Sequence, residues 1–510
     1  MLKKLSVIFF CTFFVLAAGQ VIASQSDNTL VVVSPWKAKG MDPVISGFIF
    51  TRMGCIETLA TSDGKGGIEP KLAKRWSVSN DKMTWTFTLR DKVLFHDGTA
   101  LTEETVVKAL SRVLTEKKLF KGTPVESVTS KGRDIIIKTS SPFAALPAYL
   151  SHYSTGIIAP AAYNDDGSVA EIIGTGFYRL VSTNGKTVFD FEAFDKYWGK
   201  QASIQKARYL AVPNGETRAL MAESGEADIS LTLSATAAER LQETSGISII
   251  STAIPRVRLL KLNANLDFFD TIEERLALSL AIDRKGIAKA VLKNQKTAAT
   301  QLMPEVSLWH NTRLELLVYN PKKACRLLEK AGWKKNADGI YAKGSKEFAF
   351  ELVTYSSRPM LPVVAEALQS QFAAVGIRMK ISVGKSTQIP ARHKDGTIET
   401  ALLGRNFGLV PDSVGTINAD FGPIDSRGSW GALGWESSKL NKLIDNYLNA
   451  FNEKEASKIR KKITAILQEE LPVIPVSWYD HHVAVSKGIT GVKLDAFELR
   501  PYPEGVQWAK

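Results

Sequence analysis

Alternation of apolar and polar residues predicts β-strands in several parts of this chain. In the segment from Met83 to Leu89, apolar residues alternate with threonines. A period of two places the apolar side chains on one face of a half-buried strand. Similar strand patterns occur at Leu30 to Val33, Asp134 to Lys138, Val188 to Glu192 and Phe348 to Val353.

Helical patterns lie between the strand patterns. Apolar residues three and four positions apart predict helices from Leu361 to Val375, from Asn441 to Phe451 and from Glu453 to Leu467. A further helix is predicted to begin at Thr102, which stands at an N-cap position with Glu103 in the first turn. This mixture predicts α/β lobes, and no repeat of fixed period is present.

The first 23 residues have the pattern of a secretory signal peptide. Lys3 and Lys4 precede an apolar run from Leu5 to Ala18, and Ala23 stands at a small-residue cleavage position. No later segment approaches the about 18 uninterrupted apolar residues of a transmembrane helix. We therefore expect a soluble mature protein in the periplasm.

The cysteines bear on anchoring and on redox state. Cys11 follows three bulky apolar residues, so we expect no lipoprotein anchor. After export, a disulfide between Cys55 and Cys325 is permitted by an oxidising compartment. Each of these two cysteines lies in an apolar segment, and we therefore prefer two buried free thiols. No zinc-type spacing of cysteine and histidine occurs.

Length and charge are those of an ordinary globular protein with two or three domains. The chain has 510 residues, of which 45% are hydrophobic and 23% charged. Its net charge of +13 falls to +11 without Lys3 and Lys4. Because the lysines are scattered along helices, solvated helix faces are the preferred interpretation, and we expect no nucleic-acid partner. The alternative is a field that attracts anionic ligands or the anionic membrane surface.

An ordered series of motifs resembles the family 5 solute-binding proteins of peptide and nickel ABC importers. The first motif is FHDGT at Phe95 to Thr99, followed by Leu101, Thr102, Val106 and Val107. The resemblance covers nearly all of the mature chain and is specific for the family, not for a ligand. The further motifs are Gly174 to Tyr178, Tyr197 to Gly199, Glu216 to Ala219 with Ser224 to Ile229, Arg275 to Arg284, Ala324 to Trp333 and Leu471 to Val476.

The resemblance implies an α/β, two-lobed periplasmic binding protein of the cluster C type with a two-stranded hinge. Lobe I would comprise residues 25–262 plus 484–510, with an extra small domain inserted at about residues 57–173. Lobe II would comprise residues 263–483. Alternating apolar residues at the crossings, Leu260 with Leu262 and Val483 with Val485, are typical of strands that pass between lobes.

The function implied by the resemblance is that of the substrate-binding component of an ABC importer. Its partners would be permease subunits and ATPases in the inner membrane, together with a small-molecule or short-peptide ligand. We expect a monomer without a cofactor and without catalytic activity. An exported hydrolase is the alternative of another class, although no G-x-S-x-G, H-E-x-x-H or G-x-x-x-x-G-K-[ST] motif supports it.

The segment from Gly404 to Asp412 departs from the peptide-binding branch of the family, where a carboxylate holds the amino group of the ligand. Here Phe407 stands at the position of the acid, and Arg405, followed by Asn406, stands near the family's tryptophan. An arginine fork can hold a carboxylate, which favours a small carboxylate-bearing ligand, preferably a nickel chelate. A di- or oligopeptide is the alternative ligand. An ion pair between Arg405 and a neighbouring acid is the alternative role.

Two other segments contain candidate ligand contacts. His152, beside Tyr153, stands where nickel-binding relatives place an arginine that faces the chelator. A neutral imidazole there could complete the coordination of a metal or donate a hydrogen bond to a carboxylate. The alternative is a histidine with a purely structural role. Trp36, Phe50 and Arg52 occupy the segment from which relatives line the floor of the cleft, with core packing as the alternative for the aromatic residue at 50.

The pair His481-His482 near the hinge is not expected to bind a shared metal. Adjacent residues of a strand point to opposite faces of the sheet. Packing near the hinge is therefore the preferred interpretation of this pair.

Overall fold

The computed structural model describes residues 28–64, 66–116, 119–358 and 360–510. The predicted signal peptide and Cys11 lie outside the described residues. Within these ranges, no helix combines the length and the apolar character needed to cross a membrane.

The described chain contains strands from its beginning to its end. They are β1 (Thr29–Ser34), β2 (Ala60–Ser62), β3 (Ile68–Pro70), β4 (Ala73–Val78), β5 (Thr84–Leu89), β6 (Val125–Lys131), β7 (Asp134–Thr139), β8 (Tyr178–Asn184), β9 (Val188–Ala193), β10 (Lys206–Ala211), β11 (Ile229–Leu233), β12 (Ile247–Leu262), β13 (Lys334–Lys335), β14 (Tyr341–Lys343), β15 (Lys346–Glu347), β16 (Ala349–Tyr355), β17 (Arg378–Gly384), β18 (Thr400–Asn406), β19 (Val473–Ser486), β20 (Ile489–Thr490) and β21 (Gln507–Trp508).

The helices alternate with these strands. They are α1 (Pro43–Arg52), α2 (Glu103–Glu116), α3 (Leu146–Tyr149), α4 (Gly215–Glu223), α5 (Ala235–Gln242), α6 (Ile272–Ala281), α7 (Arg284–Ala290), α8 (Pro321–Lys330), α9 (Met360–Ala374), α10 (Gln388–Lys394), α11 (Val414–Phe421), α12 (Ser438–Leu448) and α13 (Glu453–Glu470). Short 3-10 helices lie at Tyr153–Thr155, Pro160–Ala162, Gln295–Thr297 and Ile424–Ser426.

The local patterns in the sequence correspond to these elements. The strand predicted from Met83 is β5, which begins at Thr84, and the helix predicted after Thr102 is α2. The backbone N–H of Thr105 donates to the Thr102 hydroxyl at 3.3 Å, which is the expected N-cap bond. The predicted α/β class, with alternating strands and helices, is confirmed.

One ten-stranded sheet joins the two lobes of the molecule. Its strand order is β17-β16-β18-β12-β19-β11-β1-β10-β9-β8. The two central strands, β12 and β19, are antiparallel and long, with 16 and 14 residues. The second half of β12 also pairs with β18, whereas the second half of β19 pairs with β11. These two strands therefore belong to both lobes and form the two-stranded hinge.

The ladder between β12 and β19 is interrupted where the pairing partner changes. Its register shifts between Ile254 and Val257, a segment that contains Pro255. Proline has no N–H to donate, and such a bulge bends a strand and increases its twist. The lobe boundaries expected at Leu262 and Val483 lie farther along the same two strands and stay a prediction.

The inserted segment forms a four-stranded sheet, β4-β5-β7-β6, covered by α2. This small domain also contacts the second lobe. The rings of Trp85 and Phe451 have centroids 5.8 Å apart, and the Ala144 N–H donates to the Leu448 carbonyl at 2.9 Å. The C-terminal tail instead contributes Tyr502 and other apolar residues to the core of the first lobe.

A buried carboxylate explains two of the sequence motifs. Glu57 accepts hydrogen bonds at 2.8 Å from the Thr175 hydroxyl, the Tyr197 hydroxyl and the Trp198 indole. The Lys71 ammonium lies 3.3 Å away and supplies a positive charge. The Gly-Thr-Gly and Tyr-Trp-Gly motifs are thereby joined through one side chain, which satisfies the need of a buried charge for partners.

The FHDGT motif is hydrogen-bonded to the Gly-Thr-Gly motif. The Gly174 N–H donates to Nδ1 of His96 at 3.2 Å, and Nε2 of His96 donates to the Gly176 carbonyl at 3.0 Å. Burial lowers the pKa of His96 to about 4, so the ring is neutral. A Cβ on Gly176 would lie 2.0 Å from the carbonyl oxygen of Gly54, and a side chain therefore cannot be accommodated there.

Both cysteines of the described chain are free thiols. Cys55 is buried, and this burial raises its pKa to about 12, whereas Cys325 is only partly buried.

We predict that Glu57→Gln lowers the free energy of unfolding by about 3 kcal/mol, because it leaves the Lys71 charge without its buried partner. Urea unfolding followed by tryptophan fluorescence measures this loss. Glu216→Gln is the matched control, since Glu216 is exposed in its pair with Arg240. Equal unfolding midpoints for the two variants would contradict the prediction.

Candidate functional site

A cavity of about 250 Å³ lies beside the interruption in the hinge ladder. Five parts of the chain line it: the region around α1, the start of the first 3-10 helix, the hinge, the end of β18 with the loop that follows, and the tail. The lining residues are Trp36, Phe48, Arg52, His152, Tyr153, Ile254, Pro255, Arg256, Asn406, Gly408, Leu409, Ala496, Phe497, Glu498 and Leu499.

The structure brings together five residues that the sequence analysis selected. Trp36, Arg52, His152, Tyr153 and Asn406 all line this cavity. They come from segments far apart in the sequence. The packing of α1 against the first 3-10 helix brings three of them close together, and Trp36 joins them by its contact with Arg52.

Three other selected residues lie elsewhere. Phe50 and Phe407 are fully buried in the apolar cores, and Phe50 packs edge-on against Phe189. Arg405 donates two hydrogen bonds to Asp420, at 2.6 and 2.7 Å, which is the ion pair that the sequence left as the alternative. Side chains alternate along β18, so Asn406 lines the cavity and Arg405 does not.

Arg52 and Glu498 form a buried ion pair at the floor of the cavity. Nη2 of Arg52 lies 3.3 Å from Oε2 of Glu498, and its Nε donates to the Glu498 carbonyl at 3.1 Å. Burial alone would raise the pKa of Glu498, but the charges of Arg52, His481 and Arg256 together with the Tyr502 hydrogen bond outweigh it, and the pKa is lowered. The guanidinium also lies 4.7 Å from the centre of the Trp36 ring.

His152 is held as a neutral hydrogen-bond donor. The Ser154 N–H donates to Nδ1 at 3.2 Å, and the Ser154 hydroxyl lies 2.8 Å from the same atom. Burial, together with the charge of Arg52, lowers the pKa of His152 to about 3. With Nδ1 as the acceptor, the single proton of the ring lies on Nε2. A metal at Nε2 would require the other tautomer, so this geometry favours donation to an anion over metal coordination.

Asn406 offers a second free donor. Its Oδ1 accepts the N–H of Gly408 at 3.0 Å, which fixes the orientation of the amide. The NH₂ group of this amide makes no hydrogen bond with the described residues. Leu409, which follows in the same loop, is exposed at the cavity and can cover an apolar part of a ligand.

No group of three or more His, Cys, Asp or Glu residues in the described part of the chain is arranged to hold a metal ion. The side chains of His481 and His482 have different hydrogen-bond partners, as expected for adjacent residues of a strand. His481 lies 3.3 Å from the Thr232 hydroxyl, and His482 lies 2.7 Å from the Ser251 hydroxyl.

A second cavity, of about 490 Å³, adjoins the first and shares Trp36, Ile254, Arg256 and Glu498 with it. Its lining is strongly positive. The cationic residues are Arg218, Arg256, Arg258, Lys293 and Arg358, and the acidic residues are Asp480 and Glu498.

The sequence analysis missed Arg256, Arg258, Arg358, Tyr479 and Glu498. A signal was present for the first two, because they alternate with apolar residues in a strand that is expected to be buried. Charged residues are rarely buried unless they are paired or functional.

The fold and the cleft define a two-lobed solute-binding protein. Residues 67–425 match the model of the bacterial extracellular solute-binding proteins, family 5 Middle. The chain therefore belongs to this family, whose members are the binding components of ABC importers and work with permeases and ATPases. They are not enzymes, and the expectation of a binding protein is confirmed.

The relatives bind different ligands. The nickel-binding periplasmic protein of Escherichia coli K12 is 27% identical over 462 residues, which is 86% of either chain. The glutathione-binding protein GsiB of Salmonella paratyphi A is 26% identical over 439 residues, or 82% of either chain. The crystal structure of NikA from Brucella suis with Fe(III)-EDTA covers 94% of this chain and 100% of its own, at 23% identity and a TM-score of 0.84. This last likeness shows the fold.

We predict that the His152 ring is neutral, with its proton on Nε2, from about pH 5 to about pH 8. Long-range ¹H–¹⁵N NMR of histidine-labelled protein reports both the charge and the tautomer. The His152→Gln variant identifies the signal by its loss. A proton on Nδ1, or an imidazolium in this pH range, would contradict the prediction.

The same histidine should make stability depend on pH. Its folded-state pKa is below the ordinary value of 6.5, so the unfolded chain binds the proton more tightly. The stabilisation is complete above about pH 6.5 and is lost as the pH falls towards about 3, by at most about 1.4 kcal/mol per pH unit. Urea unfolding at several pH values should give a shallower dependence for His152→Gln than for the wild type. Identical slopes would show that His152 is not the buried neutral group described here.

Proposed function

We propose that this protein captures a small carboxylate-bearing ligand in the cleft between its lobes and delivers it to the permease of an ABC importer. The observation that supports this most directly is the set of unused donors in the first cavity. Among the described residues, no acceptor bonds to His152 Nε2–H, to the NH₂ group of Asn406 or to Nε of Arg256, while Glu498, the one acid among the described residues that line this cavity, is paired with Arg52. Such a site is complementary to an anion.

Capture is coupled to closure of the lobes in this proposal. Arg52 and His152 belong to the first lobe, whereas Asn406 ends β18 and Leu409 follows it in the second. A ligand that contacts all of them is bound better by the closed arrangement than by an open one, and it shifts the population by that difference. The protein would act as a monomer in the periplasm, exported by its signal peptide and without a lipid anchor.

A nickel chelate is our leading candidate for the ligand. Nickel held by free histidine carries carboxylates for the donors of the cavity and flat rings for its aromatic side. Trp36, Phe48 and Tyr153 form that side. The centre of the Phe48 ring lies 6.5 Å from that of Trp36 and 5.7 Å from that of Tyr153. The Escherichia coli relative is named for nickel binding, and the Brucella suis protein is described with a metal chelate.

A di- or oligopeptide is the second candidate. Asp480 is half-buried at the second cavity and could hold a peptide ammonium. Against this, Asp412 in the segment after β18 is half-buried and both of its carboxylate oxygens accept hydrogen bonds, Oδ1 from the Trp309 indole at 3.1 Å and Oδ2 from the Tyr447 hydroxyl at 2.8 Å. It is therefore unavailable to an amino group.

We predict that Asn406→Asp weakens the binding of nickel plus histidine by at least about tenfold. The new carboxylate can still accept the Gly408 N–H but repels an anionic ligand where the amide would donate. Isothermal titration of the mature protein measures the affinity, with nickel alone, nickel plus histidine, and a mixture of di- and tripeptides. Asn446→Asp adds the same charge at an exposed position and serves as the control.

Tight binding should occur only when nickel and histidine are both present. Binding of peptides without metal would overturn the chelate proposal and favour the peptide candidate. Equal affinities of Asn406→Asp and Asn446→Asp would show that the first cavity does not hold the anionic group.

A further inference from the structure

Three arginines surround one tyrosine ring in the second cavity. The guanidinium carbons of Arg258, Arg358 and Arg256 lie 3.7, 5.4 and 5.8 Å from the ring centre of Tyr479. Since all three lie so near one point, no two of these carbons can be farther apart than about 11 Å, and partly buried charges at such separations are screened little by salt. We call Arg256, Arg258 and Arg358 the arginine cluster.

No carboxylate of the described residues lies within ion-pair distance of the arginine cluster, although Glu498 and Asp480 act at longer range on Arg256 and Arg258. None of its members forms an ion pair with the described residues, and the buried Nε atoms of Arg256 and Arg258 have no hydrogen-bond acceptor. Asp480, an acid of the same cavity, accepts a hydrogen bond from the Asn294 amide, and Glu498 is paired with Arg52.

Hydrogen bonds to other described residues fix the side chain of only one member of the arginine cluster. Arg258 is anchored by hydrogen bonds to the Ser477 hydroxyl at 3.2 Å and the Trp478 carbonyl at 3.0 Å. The side chains of Arg256 and Arg358 donate no hydrogen bond to the described residues. Room for them is left by Gly404, where a Cβ would lie 2.7 Å from the Tyr479 hydroxyl and 3.3 Å from Nε of Arg358.

Such a cluster is unfavourable without a counter-charge. Burial lowers the pKa of Arg256 and of Arg258, and the charge of Arg358 adds to this effect on both. Contact with an aromatic face stabilises a guanidinium by about 0.5 to 2 kcal/mol, which offsets part of the cost of its burial. One ring cannot compensate three guanidinium charges that repel each other, two of them desolvated, whereas a bound anion would.

We propose that the second cavity is a subsite for a further anionic group, so that the ligand bears at least two anionic groups on one frame. One group would lie at His152 and Asn406 in the first cavity, and the other at the arginine cluster. Arg256 lines both cavities and would lie between the two groups. This inference rests on the proposed function in that one ligand spans both cavities, and it narrows the ligand class to polycarboxylates or similar multivalent anions.

The test compares wild type with Arg358→Gln, using two multivalent anions as probes. Arg358 lies in a half-buried loop position, which makes this substitution a mild one for the fold. Titration calorimetry with tricarballylate and with pyrophosphate, at an ionic strength matched with sodium chloride, measures the binding. Arg240→Gln removes the same charge from an exposed position and is the control.

We expect tricarballylate to bind the wild type and Arg240→Gln alike, and to bind Arg358→Gln at least about tenfold more weakly. Because the cluster is unpaired in the empty protein, the thermal midpoint of ligand-free Arg358→Gln should equal or exceed that of the wild type. Binding of pyrophosphate with the same dependence on Arg358, and not of tricarballylate, would support the subsite and identify its anion as a phosphate. The inference is overturned if neither anion binds beyond the effect of sodium chloride, or if both bind Arg358→Gln as tightly as the wild type.

The outcomes separate this inference from the proposed function. In one outcome, the wild type fails to bind nickel plus histidine and still binds multivalent anions in a manner that depends on Arg358. That result would refute the nickel chelate as the ligand and support the anionic subsite. Nickel–histidine binding that depends on Asn406 but is unchanged in Arg358→Gln would keep the proposed function and remove the subsite.

Discussion

The pairing of β12 with β19 is the constraint on which the rest of the structure depends. These two strands are hydrogen-bonded to each other in both lobes, and the sheet of each lobe extends from one of them. The ladder is weakest near Pro255, where the register shifts and a backbone donor is missing. Both cavities lie against this interruption and share Ile254 and Arg256. A ligand bound there would act at the point where the lobes can move relative to each other.

Buried charge is handled in three ways, and the differences separate fold from site. Glu57 is saturated by three hydrogen-bond donors and a lysine, which stabilises the first lobe. Glu498 is paired with Arg52 and shapes the floor of the first cavity. The arginine cluster has no carboxylate of the described residues within ion-pair distance, and its members repel each other. A binding protein must keep the groups that hold its ligand free of internal partners, so repulsion among them becomes a source of affinity.

Much of the fold could be predicted because the signals are local. The alternation in β5, the N-cap of α2 and the periodicity of α13 each depend on residues within a few turns of each other. The candidate site could be predicted only in part. His152 and Asn406 were selected through the family resemblance, and they line one cavity. Arg405 was selected in the same way, but its partner Asp420 lies 15 residues away on α11, and no local pattern indicates that the two meet.

By itself, the sequence determined the family, the order of the elements and the segments from which the cleft is built, because motifs and periodicities are properties of neighbouring residues. Only the tertiary structure decided which polar side chains in those segments are engaged and which are free. Arg405 and Arg256 are both arginines in paired strands at the hinge, yet one is bound to a carboxylate and the side chain of the other donates to no acceptor among the described residues. The difference depends on which residues lie within hydrogen-bonding distance in the folded chain, and packing over long sequence separations sets those distances.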